Sequence, residues 1–225
     1  MTNMETNKTP LEQLLEAIDY SFLKTDGTYD EALTYPVIDK VKYIKELLDD
    51  ARTKEQERDL AEKQYKEEFP FTIDDLAKNG VKVGDIVASK SSPYTNFTDF
   101  CLLRKGFPEN YNTSLCCNST SYGMHLYQIG FHYMGTPRSR FRKTTDEEKQ
   151  MFIDACIKRL HEPIKKDNNG YVWGWDEDEY AQILGNMVRD GLISMDKGEK
   201  LSKELKKIHN VDLLKLYKIN YGFIR

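Results

Sequence analysis

The apolar residues of this chain change their spacing twice, and this constrains the fold more than any other feature. From Pro36 to Ala51 they recur every three or four residues, which is the period of an amphipathic helix. Between Val81 and Lys143, short apolar runs are separated by turn-forming residues, as in β-strands. After Lys143 the helical period returns. The sequence therefore predicts an α+β fold, with helices on both sides of a small β region.

The predicted organisation has three parts. Residues 1–80 form an N-terminal helical region, residues 81–143 a small β domain and residues 144–225 a C-terminal helical region. The strands expected in the middle part are Val83–Ser89, Phe100–Leu103 and either one kinked strand or two strands within residues 124–134. Roughly four or five strands in total suit a small antiparallel β-sheet or an SH3-like barrel.

The N-terminal region is predicted to be a helical arm. A capping box at Thr9 starts a first helix, a second helix starts at Pro36, and Pro70 ends it. Charged residues dominate from Arg52 onward, and the apolar stripe there does not hold a strict heptad. Two interpretations remain open: a solvated helix laced by ion pairs four residues apart, or an arm that packs on a neighbouring subunit.

Composition bears on the class of protein. With 225 residues the chain can bury a core without disulfides or metal. Apolar residues make up only 39% and charged residues 31%, which favours either long exposed helices or surface that is covered only in an assembly. A net charge of −4 is not typical of a general nucleic-acid binder. With no signal peptide and no spanning apolar run, we expect cytoplasmic synthesis in the host cell and no membrane association.

Cysteine and histidine are the residue types that would carry chemistry here. Their candidates are Cys101, Cys116, Cys117, Cys156, His125 and His132. The only close pair is Cys116-Cys117, whose side chains point apart in an extended chain, so we expect buried thiols with no metal and no cofactor. A Cys–His nucleophile, built from Cys101 or Cys117, stays open as an alternative, but no local signature supports it, and we expect no enzyme.

The basic run is the best candidate for binding an anion or a partner: Arg138, Arg140, Phe141, Arg142 and Lys143. In a strand, Arg138, Arg140 and Arg142 would share one face and would bind phosphates or the carboxylates of a partner. The alternative is an edge strand whose charges protect it from pairing with other strands.

Three stretches together resemble a recurrent layout: Val83-Gly84-Asp85-Ile86-Val87, then residues 142–150, then Tyr171-Val172-Trp173. They are similar to uncharacterised proteins of phages and mobile elements of gut bacteria, and the N-terminal Thr9-Pro10-Leu11-Glu12-Gln13-Leu14 is similar to the start of such proteins. The resemblance covers about half of the chain, implies a phage-type origin and brings no assigned catalytic residues.

These observations lead to one main hypothesis. The protein is a non-enzymatic bacteriophage-type protein that acts through protein–protein contacts, as a structural subunit of an oligomeric virion or connector assembly. Its partners would be further copies of itself (a homo-oligomer) or other phage structural proteins. The alternative is a nucleic-acid-binding regulator or host-defence antagonist that uses the run from Arg138 to Lys143.

Overall fold

The computed structural model describes residues 31–104, 112–133, 138–166 and 172–222. It confirms the α+β class, with helices before and after a five-stranded antiparallel sheet. The predicted helix after Thr9 and the predicted turn at 106–110 lie outside these residues. The elements in chain order are α1 (Glu31–Glu68), α2 (Asp75–Lys78), β1 (Ile86–Lys90), β2 (Thr98–Leu103), β3 (Asn112–Thr120), β4 (Gly123–Tyr133), β5 (Arg140–Lys143), α3 (Asp146–Leu160), β6 (Lys165–Lys166), β7 (Val172–Trp173), α4 (Glu177–Arg189), α5 (Met195–His209) and α6 (Leu213–Tyr221).

The chain divides into two compact units, residues 1–60 and residues 61–225. The described part of the first unit is the α1 helix up to Leu60. The second unit contains the end of α1, all of the described strands and the remaining helices.

The large sheet has the strand order β4-β3-β2-β1-β5, and every neighbouring pair is antiparallel. Strands β4 and β5 are the two ends of this order, and over their described residues they do not pair with each other. The β region is therefore an open sheet, which is the first of the two predicted arrangements. Register shifts interrupt the β2–β3 and β3–β4 pairs.

Both faces of the sheet are buried. One face contributes Phe100, Leu102 and Cys117 to the main core, which the helices α3 to α6 complete. The opposite face contributes Val87, Cys101, Leu103, Cys116 and Phe141 to a smaller cluster. Successive residues of a strand point to opposite faces, so a strand buried on both sides reads as a continuous apolar run. Phe100-Cys101-Leu102-Leu103 is such a run.

Strand β1 begins at Ile86, three residues later than the predicted start at Val83. The delay has a physical cause, because Gly84 has a φ of 86° and the N–H of Asp85 donates to the carbonyl oxygen of Lys82 in a tight turn. A Cβ atom on Gly84 would lie 2.4 Å from the carbonyl oxygen of Asp190. The turn thus needs glycine both for its conformation and for its close approach to the end of α4.

Helix α1 begins at Glu31, upstream of the predicted start at Pro36. The helix runs through Pro36, whose missing N–H costs it one backbone hydrogen bond. The predicted end is confirmed, since α1 stops at Glu68, two residues before Pro70. Just beyond the helix, Phe69 is fully buried, and Tyr65 in its last turn is 6% exposed. These two rings fix the end of α1 in the main core of the second unit.

Candidate functional site

The basic run lies at the edge of the sheet. Arg140 to Lys143 form β5, which pairs with β1, while Arg138 lies just before the strand. Arg140 and Arg142 are on one face of β5, and Phe141 is buried on the other. The structure thus brings two of the three arginines together on one face, with exposed Arg138 outside the strand.

Arg142 is held by an acidic partner within the chain. Its guanidinium donates to both oxygens of Glu148, at 2.7 and 2.6 Å, and lies over the ring of Phe69 at 5.3 Å. This pairing raises the pKa of Arg142 and lowers the pKa of Glu148. The geometry is a bidentate clamp between β5 and the first turn of α3.

Arg140 is held by backbone carbonyl groups. Its Nε donates to the carbonyl oxygen of Phe69 at 2.7 Å, and a terminal nitrogen donates to that of Pro70 at 2.6 Å. Its backbone N–H donates to the hydroxyl of Tyr65, which itself donates to the carbonyl oxygen of Lys90. Arg140 and Tyr65 therefore fasten the end of α1 to β5 and β1.

A cleft of about 410 Å³ opens beside these contacts. It is bordered by the end of α1, by the loop after β1 and by the residues that lead into β5. Its side chains combine positive charge, hydroxyl groups and an aromatic ring that is 62% exposed: Lys66, Arg138, Arg140, Ser91, Ser92, Tyr65 and Tyr94. Glu62 is an acidic residue in its wall and lies 4.0 Å from Lys66. This composition suits an anionic ligand that carries a flat group.

The α1 helix is a second exposed feature. Every side chain from residue 42 to residue 60 is exposed except that of Leu48, which is half-buried. Toward the N-terminal end of this stretch the exposed residues include Tyr43 at 63%, Ile44 at 39% and Leu47 at 50%. From Asp49 onward, charged side chains pair along the helix: Asp49–Arg52, Asp50–Lys54 and Glu55–Arg58. The two sequence interpretations thus suit different parts of one helix, an apolar patch followed by an ion-paired solvated face.

The cysteines are buried, as predicted. Cys101 and Cys116 hydrogen bond to each other across the sheet, and Cys117 hydrogen bonds to Cys156 on the other face. His125 is exposed, and the side chain of His132 is not among those that the structure describes. Sequence spacing missed both thiol pairs, because one depends on the register between β2 and β3 and the other on the packing of α3 against the sheet. Within the described ranges, no group of three or more His, Cys, Asp or Glu side chains could hold a metal ion.

Comparison of the chain with protein-family models, with curated proteins and with solved structures finds no match in any of the three. Over the part of the chain that the structure describes, no helix has both the length and the apolar character needed to cross a membrane.

Proposed function

We propose that this protein is a non-enzymatic assembly protein, and that the exposed apolar patch of α1 binds the same patch of a second copy. The observation that carries the proposal is the exposure of Tyr43, Ile44 and Leu47 on one stretch of helix. Large apolar side chains grouped on a surface mark interaction sites, because covering them releases ordered water.

The spacing of the patch supports a helix as the partner. Val37, Val41, Ile44, Leu48 and Ala51 are separated alternately by four and three residues, which is the seam of a coiled coil. Leu47 borders this seam and widens it. A second copy of the chain offers the same seam, and self-complementary contacts are the commonest route to oligomers.

The charges beside the seam predict how self-association responds to salt. Lys45, Arg52 and Lys54 occupy the positions that flank it, so two paired copies bring cations near each other. The ion pair of Lys54 with Asp50 offsets part of this repulsion. Salt screens repulsion between exposed charges and leaves apolar burial intact. The association should therefore strengthen as salt is added.

Sedimentation equilibrium with the full chain tests the proposal. The wild type should associate, and the double substitution Ile44→Glu with Leu47→Glu should leave monomers, because it places one charge in the seam and one at its border. Leu60→Glu is the matched control: Leu60 is on the same helix, is 56% exposed and lies outside the seam, so this variant should associate like the wild type. A wild type that stays monomeric at high concentration and high salt would contradict the proposal.

The finer assignment is to a phage-type virion or connector assembly. It rests on the resemblance carried by Val83–Val87, residues 142–150 and Tyr171–Trp173. Mass spectrometry of purified phage particles from a host that carries the gene tests it. The chain should be present in stoichiometric amounts, and its presence only in the unassembled lysate would contradict the assignment.

A second candidate function is nucleic-acid binding in the cleft. Lys66 and Arg138 carry positive charge there, and the exposed ring of Tyr94 offers a face on which a base can stack. Fluorescence anisotropy with a single-stranded oligonucleotide should show binding that weakens as salt rises, which is the reverse of the response expected for self-association. Arg138→Ala with Lys66→Ala should reduce binding, whereas Lys200→Ala, at an exposed position on α5, should not. Equal loss in both variants would point to non-specific charge attraction.

A further inference from the structure

The four cysteines lie in two pairs, one on each face of the sheet. Cys101 on β2 is the direct cross-strand partner of Cys116 on β3, and their sulfur atoms are 3.6 Å apart. Cys117 is on the opposite face of β3 and hydrogen bonds to Cys156 of α3. Because successive strand residues point to opposite sides, the dipeptide Cys116-Cys117 supplies one thiol to each pair.

The geometry of the first pair is close to that of a disulfide. Opposed residues on antiparallel strands have Cα atoms about 4.5–5.5 Å apart, which falls within the range that disulfides span. The remaining change is a rotation of the side chains that shortens the contact between sulfur atoms from 3.6 Å to a bond of about 2.05 Å. The strands can keep their register while this bond forms.

We propose that Cys101 and Cys116 are an oxidation site, at which a small hydroperoxide converts the two thiols into a cross-strand disulfide. Both are almost fully buried, with 3% and 1% of their surface exposed. A hydroperoxide is small enough to reach them during brief local openings of the sheet. They lie in the smaller of the two apolar clusters, on the face opposite the helical layer formed by α3 to α6.

The two thiols have different roles in this reaction. The Cys116 sulfur lies in hydrogen-bond contact with the Cys101 sulfur at 3.6 Å and with the hydroxyl of Thr113 at 3.2 Å, and these two contacts lower the pKa of Cys116. Cys101 keeps its proton, and its pKa is raised. The Cys116 thiolate attacks one oxygen of the hydroperoxide and the O–O bond breaks. Cys116 becomes a sulfenic acid, and the second oxygen leaves as hydroxide or alkoxide and takes up the proton that Cys116 had released. The Cys101 sulfur then attacks the Cys116 sulfur and loses its proton, and the oxygen of the sulfenic acid leaves as water. For hydrogen peroxide, two thiols are oxidised and one peroxide is reduced to two waters.

The second pair provides an internal comparison. Cys117 and Cys156 are both 0% exposed and lie in the main core. Burial, followed by the hydrogen bond to Cys156, strongly raises the pKa of Cys117. Thiolate is the reactive form, so Cys117 should react more slowly than Cys116.

In the test, the folded full-length protein is treated with hydrogen peroxide, the remaining thiols are alkylated in denaturant, and peptide mapping identifies which cysteines are linked. The first product should have lost two hydrogens and should link Cys101 to Cys116. In Cys101→Ser that link is absent, and the Cys116 sulfenic acid should react with dimedone. Cys156→Ser is the control and should form the Cys101–Cys116 link at the wild-type rate. The proposal is overturned if Cys117–Cys156 is the first link, or if all four thiols remain open to alkylation. The wild-type map decides this without the variants, should any of them fail to fold.

Discussion

The guanidinium group of Arg142 and the carboxylate of Glu148 are joined by two hydrogen bonds of 2.7 and 2.6 Å. The same carboxylate accepts the backbone N–H of Thr145 at 2.9 Å, completing the capping box of α3. One side chain thus closes the first turn of a helix and fastens it to the edge strand of the sheet. Both members of the pair are only about one-fifth exposed, at 22% and 20%.

Glu148→Gln should lower the free energy of unfolding by about 1–2 kcal/mol, because it replaces charge-assisted hydrogen bonds with neutral ones. Urea denaturation at neutral pH measures this. Glu147→Gln is the matched control. Glu147 is exposed in the same helical turn, so its substitution weakens the interaction with the helix dipole as much as Glu148→Gln does, without breaking the contact with Arg142. Equal effects of the two substitutions would show that the clamp contributes nothing beyond helix charge.

The clamp also predicts a dependence on pH. The hydrogen bonds from Arg142 lower the pKa of Glu148 below its ordinary value of 4.5. A carboxyl group with a lowered pKa in the folded state adds stability above its unfolded pKa and loses it as the pH falls through the folded pKa. The stability difference between wild type and Glu148→Gln should therefore be full at pH 7 and shrink steadily in acid below about pH 4.5. A difference that stays constant down to pH 2 would contradict the assignment.

Gly185 of α4 lies against the ring of Tyr217 in α6. A Cβ atom on this glycine would be 2.1 Å from Cδ2 of Tyr217, and the ring has little room to move because its hydroxyl donates to Asn186 and accepts from Arg189. Gly185→Ala should therefore destabilise the protein by about 3 kcal/mol through overpacking. Thermal denaturation compares it with Tyr217→Leu and with the double variant. The double variant should lose less stability than the sum of the losses in the two single variants. Losses that add strictly would rule out the clash.

His161 ends α3 and contacts Glu204 of α5 at 3.1 Å. The carbonyl group of Ile157 and the carboxylate of Glu204 raise the pKa of this imidazole above its ordinary value of 6.5. The stability that protonated His161 contributes through these contacts is thus fully present below about pH 6.5 and is lost as the pH rises through the raised pKa. An NMR titration should show the pKa of His161 falling in Glu204→Gln. An unchanged His161 titration would mean that the contact does not persist in solution.

The class and order of the elements could be predicted because the helical period and the turn residues are local signals. Within the large sheet, strand β3 is the exception, and sequence reasoning missed it. Its sequence, Asn112 to Thr120, consists largely of Asn, Ser, Thr and Cys, which resembles a loop in composition. It is a strand because it lies between β2 and β4, where pairing on both sides satisfies its backbone and buries Leu115 and Cys117. Such pairing comes from the tertiary fold.

The candidate site could be predicted only in part. The basic run was visible in the sequence, and so was the strand that carries Arg140 and Arg142. The hydrogen bonds of their guanidinium groups to Phe69, Pro70 and Glu148 could not be predicted, since two of these partners are about 70 residues away along the chain. The thiol pairs depend in the same way on strand register and helix packing.

The adjacency of Cys116 and Cys117 has a mechanical consequence. If both pairs were oxidised, the chain from Cys101 to Cys116 and the chain from Cys117 to Cys156 would become two closed loops that meet at one peptide bond. A force that pulls on the ends of the molecule would pass from one disulfide to the next through that bond. The two loops together contain roughly 180 Å of extended chain, and this length could not be pulled out while the disulfides are intact. Stretched under load, the oxidised protein would thus be shorter than the reduced one by that length.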